Sequence, residues 1–305
     1  MRPAFSIIFL TTLIGAGQGL FLVLYATEML HLEAAPSFYL SGGILVLLSC
    51  LLGLLASFFH LGHPSRSWRA IHMWRTSWLS REVLALMAFI GSAALYLVAH
   101  WMEMDAAWVV GSVAAAFSVA LFVCTGMVYV AIKVMKEWAT PLTVVNFLLM
   151  GCASGATLAS ALAAVSTPSL ASPLARVAAL LTLLALLGRL TSLRRNARLK
   201  PDTTLQSALG IRHPRIAQKA QGAMGGTFNT REFFHGKSPD FLRLIKPAFL
   251  LLAFLVPLLL LAPGPSLPAL SGLAFVLQYC GLLAERWFFF AEARHPQNLY
   301  YQTIS

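Results

Sequence analysis

Residues 60–84 read HLGHPSRSWRAIHMWRTSWLSREVL, with three histidines, four arginines, three tryptophans and a glutamate between long apolar runs. His60 closes one run and Glu82 opens the next, at the same edge of the hydrocarbon. Ionisable groups at that depth are costly and mark function. An imidazole, with an unperturbed pKa of about 6.5, gives and takes protons at neutral pH. A carboxyl drawn partly out of water can hold a proton and relay it. Together they suit protonation of a lipid-soluble substrate reached from the side. A quinone fits: its two-electron reduction takes up two protons, and its ring needs a hydrogen bond at each carbonyl. His60 is placed for one bond, and Arg66 or Arg81 for the other.

The same stretch also meets structural needs. Trp68, Ile71, Trp74 and Trp78 recur at near-helical spacing, which predicts a short helix in the headgroup layer with its Trp face toward the membrane. Ser80 is expected to cap the following span. Glu82 would then stand in the first turn, where the helix dipole favours a negative charge. Aromatic belt, topology signal and cap compete with the chemical reading.

What must position these residues is a membrane bundle. The 305-residue chain is 58% hydrophobic and only 11% charged, against roughly 25% charged residues in a soluble domain. About 20 apolar residues span the hydrocarbon as a helix. The runs 5–30, 38–60, 83–101, 108–132, 142–165, 174–193, 245–262 and 267–291 therefore predict eight transmembrane helices, since long runs in lipid must satisfy their backbone internally. The fold class is all-α, a polytopic integral membrane protein read as one anchor domain over 1–305. No cleavable signal peptide or internal repeat is evident.

Charge orients the bundle. Of 22 Lys and Arg, only Arg176 falls on the face opposite the termini; the cluster from Arg189 onward and the residues of 61–82 share the termini's side. The positive-inside rule predicts cytoplasmic N- and C-termini in a bacterial inner membrane. The net charge of +11 is then topology and contact with membrane lipid, not nucleic-acid binding. The one long connection, 194–244, is basic and carries Phe228, Phe233 and Phe234. It reads either as a solvated loop held near anionic lipid or as a docking surface anchored by Arg231, Phe233 and Phe234.

Other polar residues lie within spans. Gln18, in GAGQGLF, suits a helix–helix contact beside close-packing glycines or a contact with the quinone. Glu285 and Arg286 form an intramembrane pair, read as bonding inside the bundle, or as contributing to a proton path or contacting Glu82 or the His60 region. Cys50, Cys124, Cys152 and Cys280 show no metal-ligand spacing, so no iron–sulfur cluster is expected in this chain. Nor is haem, because no two histidines fall at one depth inside the hydrocarbon.

HLGHPSRSW followed by SWLSRE resembles the membrane anchor subunits of dimethyl sulfoxide reductase and its relatives. GLLAERWFFFAEARHPQNLYY and LIGAGQGLFL are similar to the same family, so the resemblance covers the whole chain. It implies a quinone site (menaquinone or ubiquinone as substrate) using His60 and Glu82 in the 61–82 loop region. It also implies electron exchange with a docked ferredoxin-like iron–sulfur subunit and, beyond it, a molybdopterin catalytic subunit. Placing loops and termini in the cytoplasm favours the sulfite-oxidising branch over the sulfoxide-reducing one; the direction of electron flow stays open. A transporter and a purely structural anchor without a quinone site are the rival readings.

Overall fold

The computed structural model describes residues 1–59, 61–201, 203–219, 233–263, 268–296 and 298. Among them are eight helices long and apolar enough to cross a membrane: α1 (Phe5–Met29), α2 (Pro36–Phe58), α3 (Trp78–Trp101), α4 (Ala107–Val130), α5 (Pro141–Ser166), α6 (Pro168–Asn196), α7 (Pro239–Leu261) and α8 (Pro268–Glu292). The fold is all-helical, as the apolar runs require. The Met1 ammonium donates to the Ala293 carbonyl at 3.0 Å, so the start of α1 and the end of α8 share one end of the bundle.

α1 and α5 lie at the centre and are, with α8, the most buried of the eight. Their crossing is close because glycine faces glycine: a side-chain carbon on Gly155 would lie 2.1 Å from the backbone of Gly19 and Leu20, and one on Gly19 would lie 2.1 Å from the Gly151 carbonyl oxygen. Small residues spaced by four let helix backbones meet in lipid, where van der Waals packing drives association. One apolar core joins α1–α6 around Phe21, Phe89 and Tyr96. A second, around Trp138, Phe147 and Phe288–Phe290, lies toward the end that carries the termini.

Three boundaries differ from the hydropathy reading, and two of them matter for chemistry. α3 begins at Trp78, and its cap is Ser77, whose hydroxyl accepts from the Ser80 amide. Ser80 is therefore inside the helix and buried, and Glu82 lies beyond the first turn rather than in it. α6 runs on to Asn196, beyond the expected end at 193, and Arg189 within it is buried rather than directed to water with the rest of the basic cluster. α7 begins at Pro239 and contains Pro247 and Pro257. Each proline removes a backbone donor, and a π-helical turn, Leu251–Leu255, lies between them. That turn presses on α8 at Gly281, where a side-chain carbon would lie 2.2 Å from the Ala253 nitrogen.

The segment before α3 is a 3-10 helix, Pro64–Ile71, followed by turns. Its tryptophans pair with arginines, Arg69 over Trp68 at 5.5 Å and Arg75 over Trp74 at 5.3 Å, and the first turn of α3 repeats the pairing with Arg81 over Trp78 at 4.4 Å.

Candidate functional site

A cavity of about 490 Å³ opens beneath the 3-10 segment. Trp68, Ala70 and Ile71 of that segment line it, with residues of α1, α2, α3, α4, α5 and α8. Its wall is mainly apolar side chains, among them Leu54, Phe58, Leu86, Ile90, Phe122 and Met150, and its polar groups are few. That combination, a large apolar pocket with sparse fixed polar groups, is what binds a small amphipathic molecule.

Glu82 projects into this space. Its carboxylate oxygen accepts a 2.7 Å hydrogen bond from the Thr125 hydroxyl of α4, and both residues line the cavity. Deeper in, Gln18 is 2% exposed and donates through Nε2 to the Ser118 carbonyl at 2.7 Å. Gln18 thus ties α1 to α4, the helix–helix contact its sequence context allowed, and lines the cavity.

The charged wall is Arg286 of α8, 4% exposed. Its guanidinium lies 3.6 Å from the Phe147 ring centroid, with Nη1 3.5 Å from Glu285 Oε2. Glu285 faces the other way, outside the cavity wall. Its Oε1 is 2.8 Å from Arg189 Nε, and Arg189 Nη2 is 3.6 Å from Glu292 Oε2. Two arginines and two glutamates are thus paired inside the bundle.

This charged group borders a second space of about 10 Å³, lined by Glu137, Asn146, Ser192, Asn196 and the residues Arg189, Glu285 and Arg286. A space of that size holds about one water molecule. Arg286 and Phe147 line both spaces and form the partition between them.

Of the expected site residues, the structure brings Glu82 and Gln18 to one cavity and sets Glu285 just behind it. His60 and Arg231 lie outside the described residues. Arg81 is turned back on its own segment: Nε donates to the Trp74 carbonyl at 2.8 Å and Nη2 to that of Arg75 at 2.6 Å. Arg66 is exposed and absent from the cavity wall. The charged donor at the cavity is Arg286, which sequence reasoning took together with Glu285 and did not single out as a cavity residue. Thr125 carried no signal, because a threonine in an apolar helix has many bland roles.

Phe234 of the 194–244 connection is 8% exposed, and Phe233 stacks on His295 at 3.8 Å. Phe241 packs edge-on against Trp287. The phenylalanine pair thus fastens the end of this connection to the C-terminal end of the same chain.

A bundle of eight apolar helices makes this a multi-pass membrane protein, with a mainly apolar cavity beneath its Pro64–Ile71 segment. The family model of the DMSO reductase anchor subunit (DmsC) matches residues 1–291, and the chain belongs to that family. It is a membrane anchor subunit of the oxidoreductase type that the family defines. A sulfite dehydrogenase subunit of Allochromatium vinosum is 49% identical over 328 aligned positions, with the whole of both chains covered. No solved structure matches the chain.

Proposed function

We propose that this chain is the quinone-binding anchor of a molybdopterin iron–sulfur oxidoreductase, passing electrons between the membrane quinone pool and a docked iron–sulfur subunit. The observation that carries the reading is the 490 Å³ apolar cavity whose wall holds Glu82, Gln18 and Arg286. Quinone reduction needs two electrons, two protons and hydrogen bonds at two carbonyls. Arg286 and Gln18 are donors on the cavity wall, and Glu82 is the group there that can exchange a proton. Leu61 lines the cavity, and His60 precedes it in the chain; the family resemblance gives His60 the other carbonyl. Electrons come from the partner's clusters, since this chain supplies no redox centre in the reading.

The basic side of the bundle is the cytoplasmic side on the positive-inside rule, so the iron–sulfur and molybdopterin subunits dock there, against 194–244. The Allochromatium vinosum relative, named as part of a sulfite dehydrogenase, favours sulfite oxidation with quinone as acceptor.

The test pairs two assays on assembled complexes. His60→Ala is expected to abolish quinone-linked turnover while leaving turnover with a soluble mediator intact. Glu82→Gln keeps shape and the Thr125 bond but cannot titrate, so it is expected to slow turnover more than it weakens binding of a quinone analogue. Normal quinone-linked rates in both variants would reduce the stretch to belt and topology signal.

A further inference from the structure

Taking the quinone reading as its basis, we infer that the buried Arg286–Glu285–Arg189 group and the small polar space behind it form the proton path between the cavity and water at the end of the bundle that carries the termini. Three observations converge on this.

The first is continuity. Arg286 and Phe147 wall the cavity on one side and the water-sized space on the other. The far side of that space is Glu137 and Asn196, both partly exposed. Glu137 lies in the connection between α4 and α5, and Asn196 ends α6. From the cavity wall to the surface, the sequence of groups is Arg286, Glu285, the polar space and Glu137.

The second is orphaned polarity. The Asn146 amide donates through Nδ2 to Ser192 Oγ at 2.7 Å, but its Oδ1 is buried without a hydrogen-bond partner among the described residues. Neither Glu285 oxygen has a partner there in good hydrogen-bond geometry, although both are close to arginine nitrogens. All of these residues border the polar space. Buried polar groups normally find partners, and a single water there can bond several of them at once.

The third is charge. The groups facing Glu285 are Arg189 from α6, Arg286 and Glu292 from α8, and Glu137 across the polar space. Buried Glu285 and partly exposed Glu292 balance the two buried arginines. A buried ion-pair group is weak evidence for stability, because apolar residues of the same volume often serve as well or better.

In the reducing direction quinone gains two electrons from the partner's clusters and one proton at each carbonyl oxygen. Glu285 takes a proton from the polar space, which Glu137 refills from bulk water, and passes it past Arg286 into the cavity. In the oxidising direction the same groups carry protons outward. No charge crosses to the opposite face of the membrane by this route.

The experiment compares wild type, Glu285→Gln and Asn146→Leu as assembled complexes in membranes. Asn146→Leu fills the polar space with apolar side chain and leaves every charge in place, so it decides the matter if loss of Glu285 prevents assembly by stranding two buried arginines. The readouts are quinone-linked turnover from acid to alkaline pH, its solvent deuterium isotope effect, mediator-linked turnover, and affinity for a 2-alkyl-4-hydroxyquinoline N-oxide. Each variant is expected to lose roughly tenfold or more in quinone-linked turnover, with a larger isotope effect. Mediator-linked rates and analogue affinity should stay within about twofold of wild type, as a lost relay rather than a lost binding site requires. Wild-type turnover and isotope effect in both variants would overturn the path while leaving the quinone site standing. Failure of the wild-type complex to bind the analogue would overturn the quinone reading itself.

Discussion

The α1–α5 crossing gives a quantitative prediction. Alanine at Gly155 would put its Cβ 2.1 Å from backbone atoms of Gly19 and Leu20, about 1.3 Å short of ordinary contact at 3.4 Å. Backbone atoms cannot rotate away as a side chain tip can, so α1 and α5 must separate by about that distance. Overpacking of this kind costs roughly 1–3 kcal/mol, and here the upper end is expected. The consequence reaches the cavity, because α1 carries Gly15 and Gln18 and α5 carries Gly151 and Ser154, all in its wall. A displacement above 1 Å is enough to break the 2.7 Å bond from Gln18 to the Ser118 carbonyl. Misplacement of about 1 Å can cost about 10²-fold in a reaction that depends on positioning. The control is Gly91→Ala in α3, where nothing lies within 4 Å; an open helical site gains about 0.5–1 kcal/mol from alanine. Thermal unfolding in detergent should therefore move in opposite directions for the two variants. Gly155→Ala should also weaken quinone-analogue binding, and Gly91→Ala should not. If Gly155→Ala melts at or above Gly91→Ala, the two helices do not cross this closely and do not hold the cavity wall in this way.

Two further outcomes are expected. Reporters inserted within 203–219 or fused after Ser305 should read as cytoplasmic and one near 166–172 as external; the opposite orientation would overturn the charge-based topology. The Phe233–His295 contact should loosen in acid, because burial holds the His235 and His295 imidazoles below the usual His range, with the Met1 ammonium adding to it. The opened state then binds protons more readily, so the fastening is fully present above about pH 6.5 and is lost as pH falls below it. Amide exchange at 233–245, corrected for intrinsic rates, should rise on acidification, and Phe233→Ala with Phe234→Ala should raise it at every pH and release docked subunits. Exchange that is flat between pH 7.5 and 5.5 would refute the histidine contribution.

Much of the architecture was legible because it depends on local counts. Long apolar runs admit only helices in lipid, and eight of them appear within a few residues of the predicted bounds. The exceptions have physical causes. Hydropathy ends a span where polar residues begin, yet Trp78, Ser80 and Arg81 are helical, because the Ser77 hydroxyl caps the chain three residues earlier than Ser80 would. Three residues at about 1.5 Å each carry Glu82 about 4.5 Å deeper than a first-turn acid. That depth is what brings it to Thr125 of α4 and into the cavity. The pairing itself could not be read, because Thr125 and Glu82 meet only when two helices are packed.

Arg189 is the sharper case. Beside Arg194, Arg195 and Arg198 it looks like one more positive-inside charge, and hydropathy closes the span before them. The acid that makes its burial possible, Glu285, lies on α8. An arginine within two turns of a helix end can reach water along its stem or turn inward to a carboxylate, and only the position of the partner helix decides. The π turn of α7 helps to set that position, because it seats its backbone on Gly281, one turn before Glu285 on the same helix. A side chain at 281 would push α8 outward and carry Glu285 and Arg286 from Arg189 and Phe147. Two prolines in α7 and one glycine in α8 thus place the charged partition behind the cavity, although none of the three carries a reactive group.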